Sequence, residues 1–181
     1  MKAQNLAKAA LMTALTVVCA QISIPLPFTP VPFSLALLAI FLTGALLPPA
    51  YALLSQVAYL LLGIVGLPVF AKFSAGIGVL AGPTGGYLIT YPLIALITAL
   101  CLKKTGRKTP LHYLPGMVLG LALCHLFGSA MLARYSGISF AAGLMSGSVP
   151  FLLFDCIKAV IASLVGYLVF KALPQGRTQQ A

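Results

Sequence analysis

Six apolar stretches, each close to the length a helix needs to cross a bilayer, divide almost the whole chain. A helix needs about 20 mostly apolar residues to span the hydrocarbon core. The stretches run from Leu6 to Ile24, Phe33 to Leu47, Tyr51 to Leu67, Tyr87 to Leu102, Tyr113 to Leu132 and Val149 to Leu173. Prolines end several of them: Pro25, Pro27, Pro30 and Pro32 mark an extended loop after the first, Pro48-Pro49 close the second and Pro68 the third. Hydrophobic residues make up 61% of the 181 residues and charged residues 7%. One soluble core of this size could not hide so much apolar surface. The fold expected is all-α, an integral membrane bundle of six transmembrane helices forming a single domain over residues 1–181. A soluble enzyme domain and a disordered chain are excluded by the same composition.

Eleven Lys and Arg stand against one acid, giving a net charge of +10. The bases are too dispersed for a stripe that tracks nucleic acid, and no aromatic platforms interleave with them. A membrane topology accounts for them better. Six spans put both termini on one side, together with Lys2, Lys8, Lys103, Lys104, Arg107, Lys108, Lys171 and Arg177. Only Lys72 and Arg134 fall on the other side, and Lys158 lies within a span. The positive-inside rule makes the base-rich side, with both termini, cytoplasmic. The first stretch superficially resembles a signal peptide, but it runs on past Cys19, and branched Val18 precedes that cysteine where a cleavage site prefers small residues. It is expected to stay as a mature helix. Cys19, Cys101, Cys124 and Cys156 lie singly in apolar runs and read as small buried hydrophobes, with no metal or CxxC spacing.

Asp155 is the lone carboxylate side chain, and it sits inside the sixth stretch three residues before Lys158. A charge near the membrane centre costs about 2.5–3.5 kcal/mol on insertion scales. Spacing i, i+3 puts both charges on one helical face, which must look into the bundle or a wet cavity. Counting from Val149, Asp155 lies about 9 Å below the outer end, within reach of a ligand from outside. Two readings stand: a structural pair tying helices together, or the floor of a pocket for a ligand carrying amide-like N–H groups and a carboxylate.

Gly82-Pro-Thr-Gly-Gly-Tyr87 closes a glycine-rich segment, Val69–Gly86, ahead of the fourth span. Glycines permit close backbone approach, so the segment reads either as a pocket wall, with Ser74, Gly82, Thr84 and Tyr87 as contacts, or as a plain turn. It is not a Walker A loop, because no Lys-Ser/Thr follows the glycines. Energy for active transport must therefore come from a partner or a gradient. Ala3, Ala7, Ala10 and Ala14 form a stripe of small residues on the first helix. Such stripes let membrane helices approach closely, either onto another subunit or within the bundle. His112 and His125 are isolated and read as core or interface residues; no nucleophile–base set or metal-ligand set is visible. Gln56 and Tyr59 read as cavity-lining or inter-helix groups.

With these features assembled, the sequence resembles the BioY family, the biotin-specific substrate-binding (S) components of energy-coupling factor (ECF) transporters. The resemblance is carried by Pro30-Val-Pro-Phe-Ser-Leu35, Leu61-Leu-Gly-Ile-Val-Gly-Leu-Pro-Val-Phe70, Gly82-Pro-Thr-Gly-Gly-Tyr-Leu88 and Asp155-Cys-Ile-Lys158, with Ala10-Leu-Met-Thr-Ala14 matching the family's AxxxA docking motif. The chain departs at Leu153-Phe154, where members often carry Pro-Gly, and at Ala36, where they often carry Gln. The resemblance implies biotin captured by Asp155 and Lys158, a membrane T component docked along Ala7, Ala10 and Ala14, and two cytoplasmic ATPases that supply energy. No cofactor and no metal are expected. The competing expectation is a stand-alone vitamin transporter or channel that works without ATPase partners.

Overall fold

The computed structural model describes residues 2–106 and 109–172. Arg107, Lys108, Leu173 and Arg177 lie outside the described residues. Helix α1 (Lys2–Gln21) leads into an antiparallel hairpin of β1 (Ser23–Leu26) and β2 (Thr29–Ser34). Then come α2 (Ala36–Leu46), α3 (Pro49–Ile64), the short α4 (Ile77–Ala81), α5 (Gly85–Thr105), α6 (Leu114–Ser136), α7 (Phe140–Gly147) and α8 (Val149–Ala172).

The hairpin corrects the all-α expectation and the extended loop expected at the four prolines. Proline holds its residue at extended φ and pushes the preceding residue toward β. The segment is therefore straight, and it folds back on itself with Ser23 opposite Ser34 and Ile24 opposite Phe33. The loop expected between Arg134 and Ser148 is likewise partly helical. Gly137, in the left-handed region at φ 66°, ends α6, and the Ser139 hydroxyl accepts from the Ala142 N–H to cap α7. Gly143 then lies against the Ser129 carbonyl and Ala133 of α6, where a Cβ would collide.

Four of the described helices, α1, α5, α6 with its leading turn, and α8, are long and apolar enough to cross a membrane by themselves. The second and third stretches yield shorter helices, 11 residues for α2 and 16 for α3. At 1.5 Å per residue α2 measures only about 16 Å. The physical reason is that Phe33 and Ser34 go to the hairpin, and that Pro48 and Pro49 start α3 afresh. Helix α2 tolerates this because α1, α5 and α8 enclose it; Ala39, Ile40, Phe41 and Ala45 are fully buried.

Polar side chains bind α1, α2 and α3 together. The Gln56 amide donates to the Thr16 and Thr43 hydroxyls, both at 3.1 Å. The Thr13 hydroxyl donates to the Ser55 carbonyl at 2.9 Å. The inward face of α1 is thus Ala9, Thr13, Thr16 and Ala20, whereas Ala3, Ala7, Ala10 and Ala14 are exposed on its outer side. Helix α5 meets α6 through glycine: a Cβ on Gly128 would enter the Tyr87 ring, so only glycine seats that tyrosine against α6. Along α8, Phe151, Asp155, Lys158, Ala162 and Gly166 face inward. Leu153, Phe154, Ile157, Val160, Ile161, Leu164 and Leu168 are exposed, a long apolar face suited to lipid.

The basic residues sort by end. Lys8 and Lys103 line one cavity with Pro48 and Phe170, which brings the start of α1, the α2–α3 connection and the ends of α5 and α8 together. Arg134 lies at the opposite end, beside Gly86 at the start of α5.

Candidate ligand-binding chamber

The two charges on α8 set the floor of the site. Lys158 Nζ donates to Asp155 Oδ1 at 2.8 Å, and the residues are only 5% and 3% exposed. Neither faces lipid; both line a chamber with Phe33, Ser34, Tyr87, Tyr91, Cys124, His125 and Phe151 among its walls. Lys158 Nζ also donates to the Ser34 carbonyl at 2.7 Å and lies 4.2 Å from the centroid of the Phe33 ring. Phe33 meets Phe154 edge-on at 5.3 Å. The ammonium thereby meets a carboxylate, a carbonyl and an aromatic face.

His125 enters from α6, 7% exposed, with Nε2 3.3 Å from Asp155 Oδ2. That approach lies off the hydrogen-bond axis, and neither ring nitrogen has a hydrogen-bond partner among the described residues. The Tyr87 ring stands edge-on to the imidazole at 6.5 Å. Tyr87 is fixed in turn: its hydroxyl donates to the Gly147 carbonyl at 2.7 Å, next to a Ser129–Ser148 contact of 2.6 Å. Tyr91, one turn on, stacks on Tyr59 at 6.2 Å, and the Tyr59 hydroxyl donates to the Val69 carbonyl.

A second chamber adjoins the first and shares Val31, Pro32, Ser34, Tyr87 and Tyr91 with it. Its remaining walls include Phe70, Lys72, Ser74, Val79 and Thr84. The charged chamber encloses about 50 Å³ and this loop chamber about 170 Å³. The loop wall is held in an unusual conformation, with Lys72 and Phe73 at φ 60° and 55°. For non-glycine residues that backbone costs roughly 1–2 kcal/mol each. Gln21 at the end of α1 holds it: Oε1 accepts from the Phe73 N–H at 3.0 Å, and Nε2 donates to the Phe70 carbonyl at 3.1 Å.

Of the residues singled out from sequence, Asp155, Lys158 and Tyr87 line the charged chamber, and Tyr87, Thr84 and Ser74 the loop chamber. Gly82 sits in the turn between α4 and α5 and lines neither. Ala7, Ala10 and Ala14 are far along α1, on its exposed side. Sequence reasoning passed over Phe33, Ser34, Tyr91, Cys124 and His125 as wall residues. The i, i+4 spacing of Tyr87 and Tyr91 was an available signal; the approach of His125 to Asp155, thirty positions on, was not.

A helical bundle with an oily outer surface and a charged, aromatic-walled chamber inside it defines a multi-pass membrane protein. Comparison with known proteins narrows this class. The chain matches the BioY family over residues 1–175 and belongs to it. It is 42% identical over 162 residues to the biotin transporter BioY of Thermotoga maritima, covering 90% of this chain and 93% of that protein. It is 39% identical over 165 residues to a probable biotin transporter BioY of Pyrococcus horikoshii, covering 91% and 95%. Its fold is also that of a crystal structure of the S-component for biotin from an ECF-type ABC transporter. That match has a TM-score of 0.89 and 30% identity, and covers 95% of this chain and 93% of the other.

Proposed function

We propose that this chain is the membrane-embedded, high-affinity biotin-binding subunit of an ECF-type uptake system, with biotin held in the two joined chambers. The observation that carries the reading is the Asp155–Lys158 pair, buried yet lining a cavity. Buried charges of this kind in a membrane protein are costly and mark sites of function. Biotin's ureido N–H donors match the Asp155 carboxylate, and the ammonium beside it and the aromatic walls complete that end of the chamber. Ser74, Thr84 and Tyr87 add polar contacts, and Gly82 lies in the turn that leads to Thr84 and Tyr87. The relatives' description as biotin transporters supports the same ligand.

In this reading the whole chain is one substrate-binding domain that crosses the plasma membrane six times, through α1, α2, α3, α5, α6 and α8, with both termini in the cytoplasm. The side carrying Lys8, Lys103 and Lys104 faces inward, as the positive-inside rule requires. Ala7, Ala10 and Ala14 form the smooth outer face of α1 on which the T component docks, and two cytoplasmic ATPases drive release. The chain itself carries out transport, not catalysis.

Calorimetric titration of the detergent-solubilised protein tests the ligand. The expected result is saturable biotin binding at one site, weakened strongly in Asp155→Asn and Lys158→Ala. Unchanged affinity in both variants removes the pair from the site. Biotin uptake by vesicles holding this chain alone would favour the stand-alone transporter.

A further inference from the structure

His125 is a buried imidazole with two nitrogens and no hydrogen-bond partner for either among the described residues. Buried polar side chains are nearly always satisfied, so an orphan in a cavity wall signals a missing partner. The ring lies on the wall of the charged chamber beside Asp155, Lys158 and Tyr87. We infer that His125 is a direct ligand contact, its imidazole oriented by Asp155 so that one nitrogen accepts a hydrogen bond from an N–H group of the bound molecule. The inference rests on the chambers being the biotin site, and the N–H belongs to the ureido ring.

The chemistry of the neighbours fixes the roles. Asp155 Oδ2, 3.3 Å from Nε2, only accepts, so its charge favours the tautomer with the proton on Nε2 even though that N–H points off the hydrogen-bond axis. In the neutral ring Nδ1 then holds a lone pair. Lys158 has little left to give: its ammonium already serves the Asp155 carboxylate and the Ser34 carbonyl and faces the Phe33 ring. This end of the chamber is therefore rich in acceptors, Nδ1 and the remaining lone pairs of Asp155, and suits a ligand group that is rich in donors. A cyclic urea presents two N–H groups side by side and fits that demand.

The test uses the full chain in detergent, labelled with nitrogen-15 in histidine. The chain has two histidines, His112 and His125. His112 sits in the Pro110–Tyr113 turn, with Nδ1 2.7 Å from the Thr109 hydroxyl, and serves as an internal reference. Saturating biotin should shift the His125 Nδ1 resonance and leave His112 in place. His125→Leu should weaken biotin binding about tenfold or more, and His125→Gln, which keeps an acceptor, should recover most of that loss. Unmoved His125 resonances in a protein that calorimetry shows to be saturated with biotin overturn the inference and leave the biotin reading intact. Wild-type affinity in His125→Leu does the same. A wild-type protein that binds no biotin overturns both.

Discussion

Lys158 on the last helix donates a 2.7 Å hydrogen bond to the backbone carbonyl of Ser34, at the end of the hairpin 124 residues earlier. One side chain therefore holds the floor of the charged chamber and anchors its hairpin wall. Lys158→Met removes the ammonium but keeps an unbranched apolar stem. The amides of β1 and β2 should then exchange faster with solvent deuterium, by about tenfold, while those in the middle of α5 stay protected. Hydrogen exchange followed by mass spectrometry gives the comparison. Equal protection of the hairpin in both proteins would show that it stands without Lys158.

Gln21 carries the loop wall. Two residues in the left-handed region, Lys72 and Phe73, persist because its amide bonds the Phe70 carbonyl before them and the N–H of Phe73 itself. Gln21→Ala removes about 1 kcal/mol per hydrogen bond and frees the loop to relax. Biotin binding should weaken by about three- to tenfold, mainly through faster dissociation, with the melting temperature little changed. Chase of radiolabelled biotin from the preloaded protein by excess unlabelled biotin measures the rate. Adding Lys72→Gly, which relieves the strain directly, should recover part of the loss.

The outer face of α1 and its inner face predict opposite phenotypes. Ala10 and Ala14 are exposed, whereas Thr13 is buried against Ser55. Ala10→Trp should leave biotin affinity unchanged yet abolish co-purification with a co-expressed T component. Thr13→Trp should lower the melting temperature of the isolated chain, because a bulky ring cannot fit between α1 and α3. Retained co-purification of Ala10→Trp would place the partner elsewhere.

Gln56 tests how polar contacts stabilise the bundle. Its amide N–H groups bond Thr16 and Thr43, but its carbonyl oxygen is buried without a partner among the described residues. Losing two hydrogen bonds costs about 2 kcal/mol, and removing an unsatisfied buried carbonyl returns about 1–3 kcal/mol. Gln56→Leu should therefore fall within about 1 kcal/mol of wild type. Thr16→Val, which leaves one more buried polar group of Gln56 unpaired, should be the more destabilising change. Thermal unfolding in detergent ranks the two.

Hydropathy made α1, α5, α6 and α8 legible because each is a long apolar run whose ends are marked by charge, proline or glycine. It misjudged α2, since mean apolarity cannot separate a strand end from a helix start in Phe33–Leu47. The hairpin escaped because four prolines signal extension but not pairing; its partner strand becomes evident only in three dimensions. Helices α4 and α7 are too short to show a period. At the site, Asp155 and Lys158 stood out because a charge in an apolar run needs a reason. Tyr87 and Thr84 drew notice from their place in the glycine-rich Gly82–Tyr87 segment. His125 did not stand out, because nothing local distinguishes it; its meaning comes from Asp155, which reaches it from another helix.

If the membrane interior keeps the Asp155–Lys158 pair for the ligand and not for the fold, removing both charges must cost biotin binding and spare stability. The direct measurement is the biotin affinity and melting temperature of the double variant Asp155→Leu, Lys158→Met. Replacing a buried ion pair by apolar groups of similar volume is commonly neutral or stabilising, so the account predicts an intact or raised melting temperature with biotin binding lost by at least about a hundredfold. A double variant that binds biotin like wild type but melts many degrees lower would contradict it and make the pair a structural clamp.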